Sequence, residues 1–299
     1  WLDKGVKGFR LDVVNLISKP EIFEDDNIGD GRRFYTDGPN IHEYLKELNK
    51  NTFGKHEDVI TVGEMSSTSV DNCIKYSNPD EKELSMVFNF HHLKVDYKNG
   101  DKWTMMDFDF KMLKDIFKEW QEGMQEGNGW SAVFWCNHDQ PRAVTRFGDD
   151  GVYRVESAKM LATLLHMMKG TPYIFQGEEL GMKNVPFEKV EDYQDIETQY
   201  FLQLMKEKGE PESYIKESMY LKSRDNARTP FPWNGDANDG YGFSSSKPWI
   251  AYSSDNQFIN AESALEDEGS VFYYYKQLIA LRHQLPIIVH GDYELINES

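Results

Sequence analysis

The sequence predicts an α/β protein built on a parallel sheet. Short, β-rich apolar runs recur at Lys7–Val14, Val59–Glu64, Met86–Phe90, Ala132–Asn137 and Thr171–Gln176. Helical patterns follow several of them, at about Ile41–Asn51, Met112–Met124 and Tyr153–Met168. Strands alternating with helices mark βαβ units. Nearly continuous apolar strands are expected where both faces of a sheet are covered. Five such units leave two architectures open, a doubly wound open sheet and the later part of a barrel. A dinucleotide-binding open sheet needs a glycine-rich turn after its first strand. Here the first strand runs instead into Leu11-Asp12-Val13-Val14-Asn15, which weakens that alternative.

Beyond the fifth run the rhythm lapses between Gly181 and Ser270, and Gly, Ser, Asn and Asp become frequent, above all in Trp233–Ser246. A charged helical stretch, Asp195–Lys208, lies inside this excursion. So long a departure within a compact domain is usually functional. A last helix spans Ser270–Gln284 and ends at Leu285-Pro286. Ile287–Ile296 reads as a further strand, so residues 1–285 are expected to form one unit and 286–299 to open a β-domain.

Composition narrows the function classes. The 299 residues carry 33 Lys+Arg against 51 Asp+Glu, a formal net charge of −18. A surface of that sign repels phosphate backbones unless a basic patch intervenes. Arg32-Arg33 is the only adjacent basic pair, and the acidic run Glu24-Asp25-Asp26 precedes it, so no nucleic-acid partner is expected. No apolar run approaches the roughly 18–20 residues of a membrane span, so no membrane partner is expected either. The first residues, Trp1-Leu2-Asp3-Lys4, carry neither an initiator Met nor a signal peptide, and a piece of a longer protein is expected. Cys73 and Cys136 are too few for a disulfide framework or a four-cysteine zinc site. A reducing, cytoplasmic setting fits them best.

The informative feature is where the acids fall. Strand alternation places Gly8, Arg10 and Asp12 on one face and Phe9, Leu11 and Val13 on the other. An arginine two residues before an aspartate keeps that carboxylate ionised, as a nucleophile must be. Ile60-Thr61-Val62-Gly63-Glu64 ends a second strand on a carboxylate, and Asn137-His138-Asp139-Gln140-Pro141-Arg142 follows a third. Taken singly, each acid also fits a helix N-cap or a solvated loop. In α/β barrels, functional residues converge from the C-terminal ends of different strands.

Two carboxylates in unlike settings suit glycoside hydrolysis with retention, which needs a pair roughly 5–5.5 Å apart. Asp12 beside Arg10 suits the ionised nucleophile. Glu64, between Gly63 and Met65, suits a carboxyl raised by apolar surroundings and thus the proton donor. Asp139 would bind sugar hydroxyls and stabilise positive charge at the anomeric carbon. Rival chemistries lack their signatures. There is no His-Glu-x-x-His, Cys-x-x-Cys, Gly-x-Ser-x-Gly or phosphate-cradling P-loop. His91 and His92, taken as strand residues, point to opposite faces and cannot chelate together. Neither metal nor cofactor is expected.

These segments resemble glycoside hydrolase family 13, the α-amylase superfamily. Gly8-Phe9-Arg10-Leu11-Asp12 is similar to its nucleophile strand, Val62-Gly63-Glu64 to its acid/base strand and Asn137-His138-Asp139 to its third-carboxylate loop. The resemblance covers nearly the whole chain and implies a (β/α)8 TIM barrel entered at its fourth strand and followed through its eighth helix. The family's first three strands, their inserted domain, its early Asn-His motif and most of its C-terminal β-domain would then lie outside this chain. Asp12-Val13 followed by Lys19, together with Glu64-Met65, resembles the exo-acting oligo-1,6-glucosidase group, where the Val and Lys accompany linkages other than α-1,4. Ser223-Arg224-Asp225-Asn226-Ala227-Arg228-Thr229-Pro230 matches a segment whose second arginine, here Arg228, binds the terminal glucose. It continues as Pro230-Phe231-Pro232-Trp233, where the family usually has Pro-Met-Gln-Trp.

Within the group, Gly31-Arg32-Arg33-Phe34-Tyr35, Gly63–Thr68, Phe90–Tyr97, Trp103–Phe110 and Phe134–Arg142 are most similar to members that cleave trehalose 6-phosphate. The resemblance implies a small sugar or sugar-phosphate substrate. Asp12, Glu64 and Asp139 would then be catalytic, with Arg10, His138, Arg228, Lys19 and Val13 binding the sugar. A phosphate would need cations, for which Arg32, Arg33 and Lys94, together with Lys19, are candidates. The same catalytic set would serve isomalto-oligosaccharides, and a member that transfers the glucosyl group by excluding water is also open. Transporter heavy chains share the fold without catalysis, but typically lack the three carboxylates retained here.

Overall fold

The computed structural model describes residues 1–296; residues 297–299, at the end of the expected β-domain segment, lie outside it. Five strand-helix passages build the frame. They are β1 (Gly8–Leu11) and α1 (Ile41–Asn51), β2 (Ile60–Glu64) and α2 (Val70–Ser77), and β3 (Met86–Phe88) and α3 (Phe110–Glu126). β4 (Ser131–Val133) is followed by α4 (Ala143–Phe147) and α5 (Arg154–Met167), and β5 (Thr171–Pro172) closes the series. Then come α6 (Ile196–Lys208), α7 (Glu212–Lys222), α8 (Ala261–Glu266), α9 (Val271–Gln284) and α10 (Ile287–His290).

The five strands form one parallel sheet in sequence order. Arg10 pairs with Val62, Val62 with Met86, Glu64 with Phe88, and Phe88 with Ala132. That register gathers the even-numbered side chains of β1–β4 on one face. The opposite face meets the helices. There Met65 and Val87 join Ile41 and Leu45 of α1, Tyr76 of α2 and Trp120 and Met124 of α3 in one buried cluster. A second cluster joins Val133 and Trp135 to Leu161 and Leu165 of α5 and Leu278 of α9. Burying a leucine or isoleucine as fully as Ile41, Leu45 and Leu165 contributes about 1.5–3 kcal/mol each.

The ladders are shorter than the apolar runs. Apolar character records burial, whereas a strand also needs a paired neighbour. Phe134, Trp135 and Cys136 are buried beyond the end of β4, and the Trp135 indole donates to the Leu161 carbonyl (2.9 Å). The histidine pair sits on a 3-10 turn, His91–Lys94, and not on a strand. Its geometry follows from burial: His92 bonds the Phe134 carbonyl (2.8 Å) and His91 packs on Trp120.

About half of the long excursion is helical, and it holds a core of its own. Val190, Tyr193, Phe201, Leu202, Met205, Ile215 and Met219 pack together, and Trp103 stacks on Phe201 at 4.1 Å. Asp195 caps α6 through the Glu197 amide (2.9 Å), and Gly209 ends the helix at φ +74°. The expected strand at Ile287–Ile296 is corrected. Pro286 takes a helical conformation, Ile287–His290 forms a short helix, and the following segment lies against α3 through Tyr293 N–H and Gln125 (2.6 Å). A run of β-branched residues without alternation does not distinguish strand from helix. Among the described residues, no helix is long and apolar enough to cross a membrane.

Candidate active site

β1 delivers Arg10 inside the strand and Asp12 one residue past its end. The Arg10 guanidinium bridges two carboxylates, pairing with Asp12 Oδ1 through Nη1 and with Glu64 Oε2 through Nη2. Val13 then turns into the left-handed region (φ 40°, ψ 42°), a sterically costly conformation for a β-branched residue. Its amide donates to Glu64 Oε2 at 3.2 Å. The strained turn therefore closes the loop after β1 onto the acid that ends β2.

The two carboxyls sit in unlike surroundings. The Asp12 side chain is 75% exposed and that of Glu64 only 11%. Hydrogen bonding from Arg10, then with Glu64, holds Asp12 below the usual carboxylate range. Burial pushes Glu64 up, and the Arg10 charge offsets only part of that rise. Arg10, Glu64 and His138 line one concavity of about 230 Å³ with aromatic walls that include Phe88, Phe90, Phe134, Tyr173 and Phe175.

The loop after β4 brings a third acid to the same side. His138 Nε2 lies 3.3 Å from Asp139 Oδ2, and the Asp139 amide donates to Asn137 Oδ1 (2.8 Å). A 3-10 turn, Arg224–Arg228, presents two arginines four residues apart. Arg228 Nη2 donates to Asp139 Oδ1 at 2.7 Å, and Arg224 Nη1 reaches the same oxygen at 3.2 Å. Behind them, Asp195 pairs with Arg228 Nη1 (2.6 Å) and Arg224 Nε (2.8 Å). Arg228 also donates from Nε to the His138 carbonyl (2.9 Å), which fixes the loop that carries Asp139.

Arg224 and Asp195 are the members that sequence reasoning missed. Arg224 had a weak signal, since it stands in the same Ser223–Pro230 segment as Arg228. Asp195 had none beyond its position before a helical pattern, which an N-cap explains equally well.

The candidate cations separate into two sorts. Arg32 pairs with Asp30 (3.0 Å) and Arg33 with Asp26 of the acidic run (3.1 Å), so aspartates just upstream occupy both. Lys19 bonds the Leu16 carbonyl and lies 4.4 Å from the centre of the Tyr35 ring. Lys94 is half-buried, and burial, then the nearby Arg32 charge, lowers its pKa. The structure thus holds Arg32, Arg33 and Lys19 on partners of their own and leaves Lys94 half-buried. Among the described residues, no group of three or more His, Cys, Asp or Glu side chains is arranged to hold a metal ion.

Two carboxylates at the ends of adjacent parallel strands are thus bridged by one arginine beside an aromatic hollow. The chain belongs to the α-amylase family, glycoside hydrolase family 13, whose catalytic-domain model matches residues 1–291. Its relatives include the trehalose-6-phosphate hydrolase of Bacillus subtilis, 56% identical over 99% of this chain and 52% of the relative. An oligo-1,6-glucosidase of Parageobacillus thermoglucosidasius is 49% identical over 100% of this chain and 54% of its own length. The crystal structure of Bacillus licheniformis trehalose-6-phosphate hydrolase superposes with a TM-score of 0.95 at 57% identity, covering 100% of this chain and 53% of that one. The chain spans about half the length of the relatives it matches.

Proposed function

We propose that the whole protein carrying this chain is a retaining α-glucosidase that hydrolyses trehalose 6-phosphate to glucose and glucose 6-phosphate. The observation that carries the chemistry is the Arg10 bridge between an exposed carboxylate held ionised and a buried carboxyl pushed up. That split suits one group to attack and the other to donate a proton. Asp12 bonds to the anomeric carbon as the glycosidic C–O bond breaks, and Glu64 protonates the departing oxygen. Glu64, now a carboxylate, takes a proton from water, whose oxygen displaces Asp12 from the same carbon with net retention. Asp139 and His138 would stabilise the distorted sugar, with Arg228 and Arg224 positioning Asp139.

On this reading β1–β5 are the fourth to eighth strands of a (β/α)8 barrel, and residues 286–299 lead into a C-terminal β-domain. The choice of a phosphorylated sugar is supported by the similarity to trehalose-6-phosphate hydrolases. The buried free thiols of Cys73 and Cys136 suit a reducing, cytoplasmic setting.

The test is glucose release by the whole protein, given trehalose 6-phosphate and isomaltose in parallel. A large preference for the phosphorylated sugar supports the proposal. A preference for isomaltose keeps the carboxylate roles and rejects the phosphate subsite, in favour of an oligo-1,6-glucosidase. Activity on neither overturns the enzymatic reading.

A further inference from the structure

The loops after β1 and β2 are joined by one fully buried amide. Asn15 stands three residues past Asp12 and is 0% exposed. Its Oδ1 accepts from the Ser66 amide (2.9 Å), and its Nδ2 donates to the Ser66 carbonyl (2.8 Å) and to Asp37 Oδ1 (3.1 Å). Ser66 stands two residues past Glu64. The Asn15 side chain therefore closes a ring with the backbone of the acid/base loop and leaves neither amide proton unused.

The ring is anchored from behind. Asp37 adopts the left-handed region (φ 49°), and its amide donates to the Asn15 carbonyl (3.0 Å). Its carboxylate also accepts from Thr68 Oγ1 (2.8 Å), Asn72 Nδ2 (2.9 Å) and Tyr76 OH (2.6 Å). A carboxylate with four donors from both loops and α2 is a rigid fixture. Asn15 and Asp37 both span the two loops, and Asn15 is the member that grips the backbone two residues past Glu64.

We infer that Asn15 is a positioning residue that sets the separation of Asp12 and Glu64, resting on the glucosidase reading above. Retention needs both carboxyls on one anomeric centre at once, and a displacement of about 1 Å costs on the order of 100-fold. The substrate sugar docks at Asp12, so misplacing the Glu64 loop removes protonation of the leaving oxygen while attack persists. A leaving group that needs no proton bypasses the defect in the bond-breaking step, which kcat/KM reports, while water attack on the Asp12 intermediate still needs Glu64.

The experiment compares the whole protein with Asn15→Asp, which replaces both Nδ2 donors by an acceptor facing Asp37 and the Ser66 carbonyl. Asn15→Ser, which is too short to span both Ser66 groups, is the second variant should the first fail to fold. Tyr76→Phe is the control, since it disturbs the Asp37 fixture without touching the ring. Rates per folded molecule are measured on isomaltose or trehalose 6-phosphate, whichever the wild type prefers, and on α-glucosyl fluoride.

Asn15→Asp is expected to lose about 100-fold in kcat/KM on the disaccharide and less than about 10-fold in kcat/KM on the fluoride. Asn15→Ser shows the same asymmetry in smaller degree, and Tyr76→Phe shows none. Equal losses on both substrates, or no loss on the disaccharide, overturn the inference. A wild type inactive on all three substrates overturns the glucosidase reading and this inference with it.

Discussion

Asp96 offers a sharp test of how the site is held, because its carboxylate pairs with two buried cations. It accepts from Arg146 Nε (3.0 Å), Arg146 Nη2 (2.5 Å) and Lys222 Nζ (2.7 Å), and none of the three side chains is more than 6% exposed. The Arg146 and Lys222 charges outweigh the effect of burial and hold Asp96 below the usual carboxylate range. Arg146 Nη1 also donates to Gln140 beside Asp139 (2.7 Å), and Lys222 stands two residues before Arg224. The triad thus ties together the two loops that build the Asp139 cluster.

Asp96→Asn keeps the shape, removes the charge and leaves two facing cations without that anion. Breaking a buried pair in this way costs about 3–5 kcal/mol. At roughly 2.1 cal/mol/K per residue, a protein about twice as long as this chain changes its Tm by about 1 °C per kcal/mol, so a fall of about 3–5 °C follows. The assay is urea unfolding of the whole protein near neutral pH, supported by thermal melts. A double variant with Lys222→Met should recover part of the loss, since one of the two stranded cations is gone. The pH dependence has a fixed sign. Asp96 has a depressed folded pKa, so its contribution is present above its unfolded value of about 3.9 and is lost as pH falls through the folded one. The gap between wild type and variant therefore narrows on acidification. A loss below about 1 kcal/mol at neutral pH, or a double variant less stable than Asp96→Asn, refutes the assignment.

Two further outcomes follow from the carboxylates. Asp12→Asn is expected to lower kcat of the whole protein by several orders of magnitude, and near-normal turnover would sink its assignment as nucleophile. The profile of kcat/KM against pH should be bell-shaped, with activity lost as pH falls through the depressed pKa of Asp12 and as it rises through the raised pKa of Glu64. An alkaline limb below the ordinary glutamate value of about 4.3 would contradict the buried acid.

The frame was legible where burial writes a pattern. The five apolar runs become the five strands, and α1 spans the same Ile41–Asn51 as its helical pattern. Other elements were hidden for physical reasons. α2 is eight residues long and is stabilised as much by Ser69, which caps the Asn72 amide, as by an apolar stripe. α7 lies within a polar excursion and buries Ile215 and Met219 only against the small core built around α6. The tail misled because Ile287, Ile288 and Val289 suit a strand in isolation, while Pro286 and packing along α3 set a helical turn.

Local sequence determined what local geometry can express. Arg10 and Asp12 share a strand face because side chains alternate, and Glu64 ends a strand whose neighbours are apolar. Their contrast in exposure, and hence the opposite directions of their pKa shifts, needed the sheet that sets β1 against β2. Tertiary structure alone decided the rest. Arg228 meets Asp139 across 89 residues and Asp195 across 33, and such meetings depend on where whole elements pack. It also decided which cations are occupied, since Arg32 and Arg33 are claimed by Asp30 and Asp26 while Lys94 is half-buried. A sequence specifies the groups available for chemistry. Distance and desolvation set their protonation and partners, and both are properties of the folded chain.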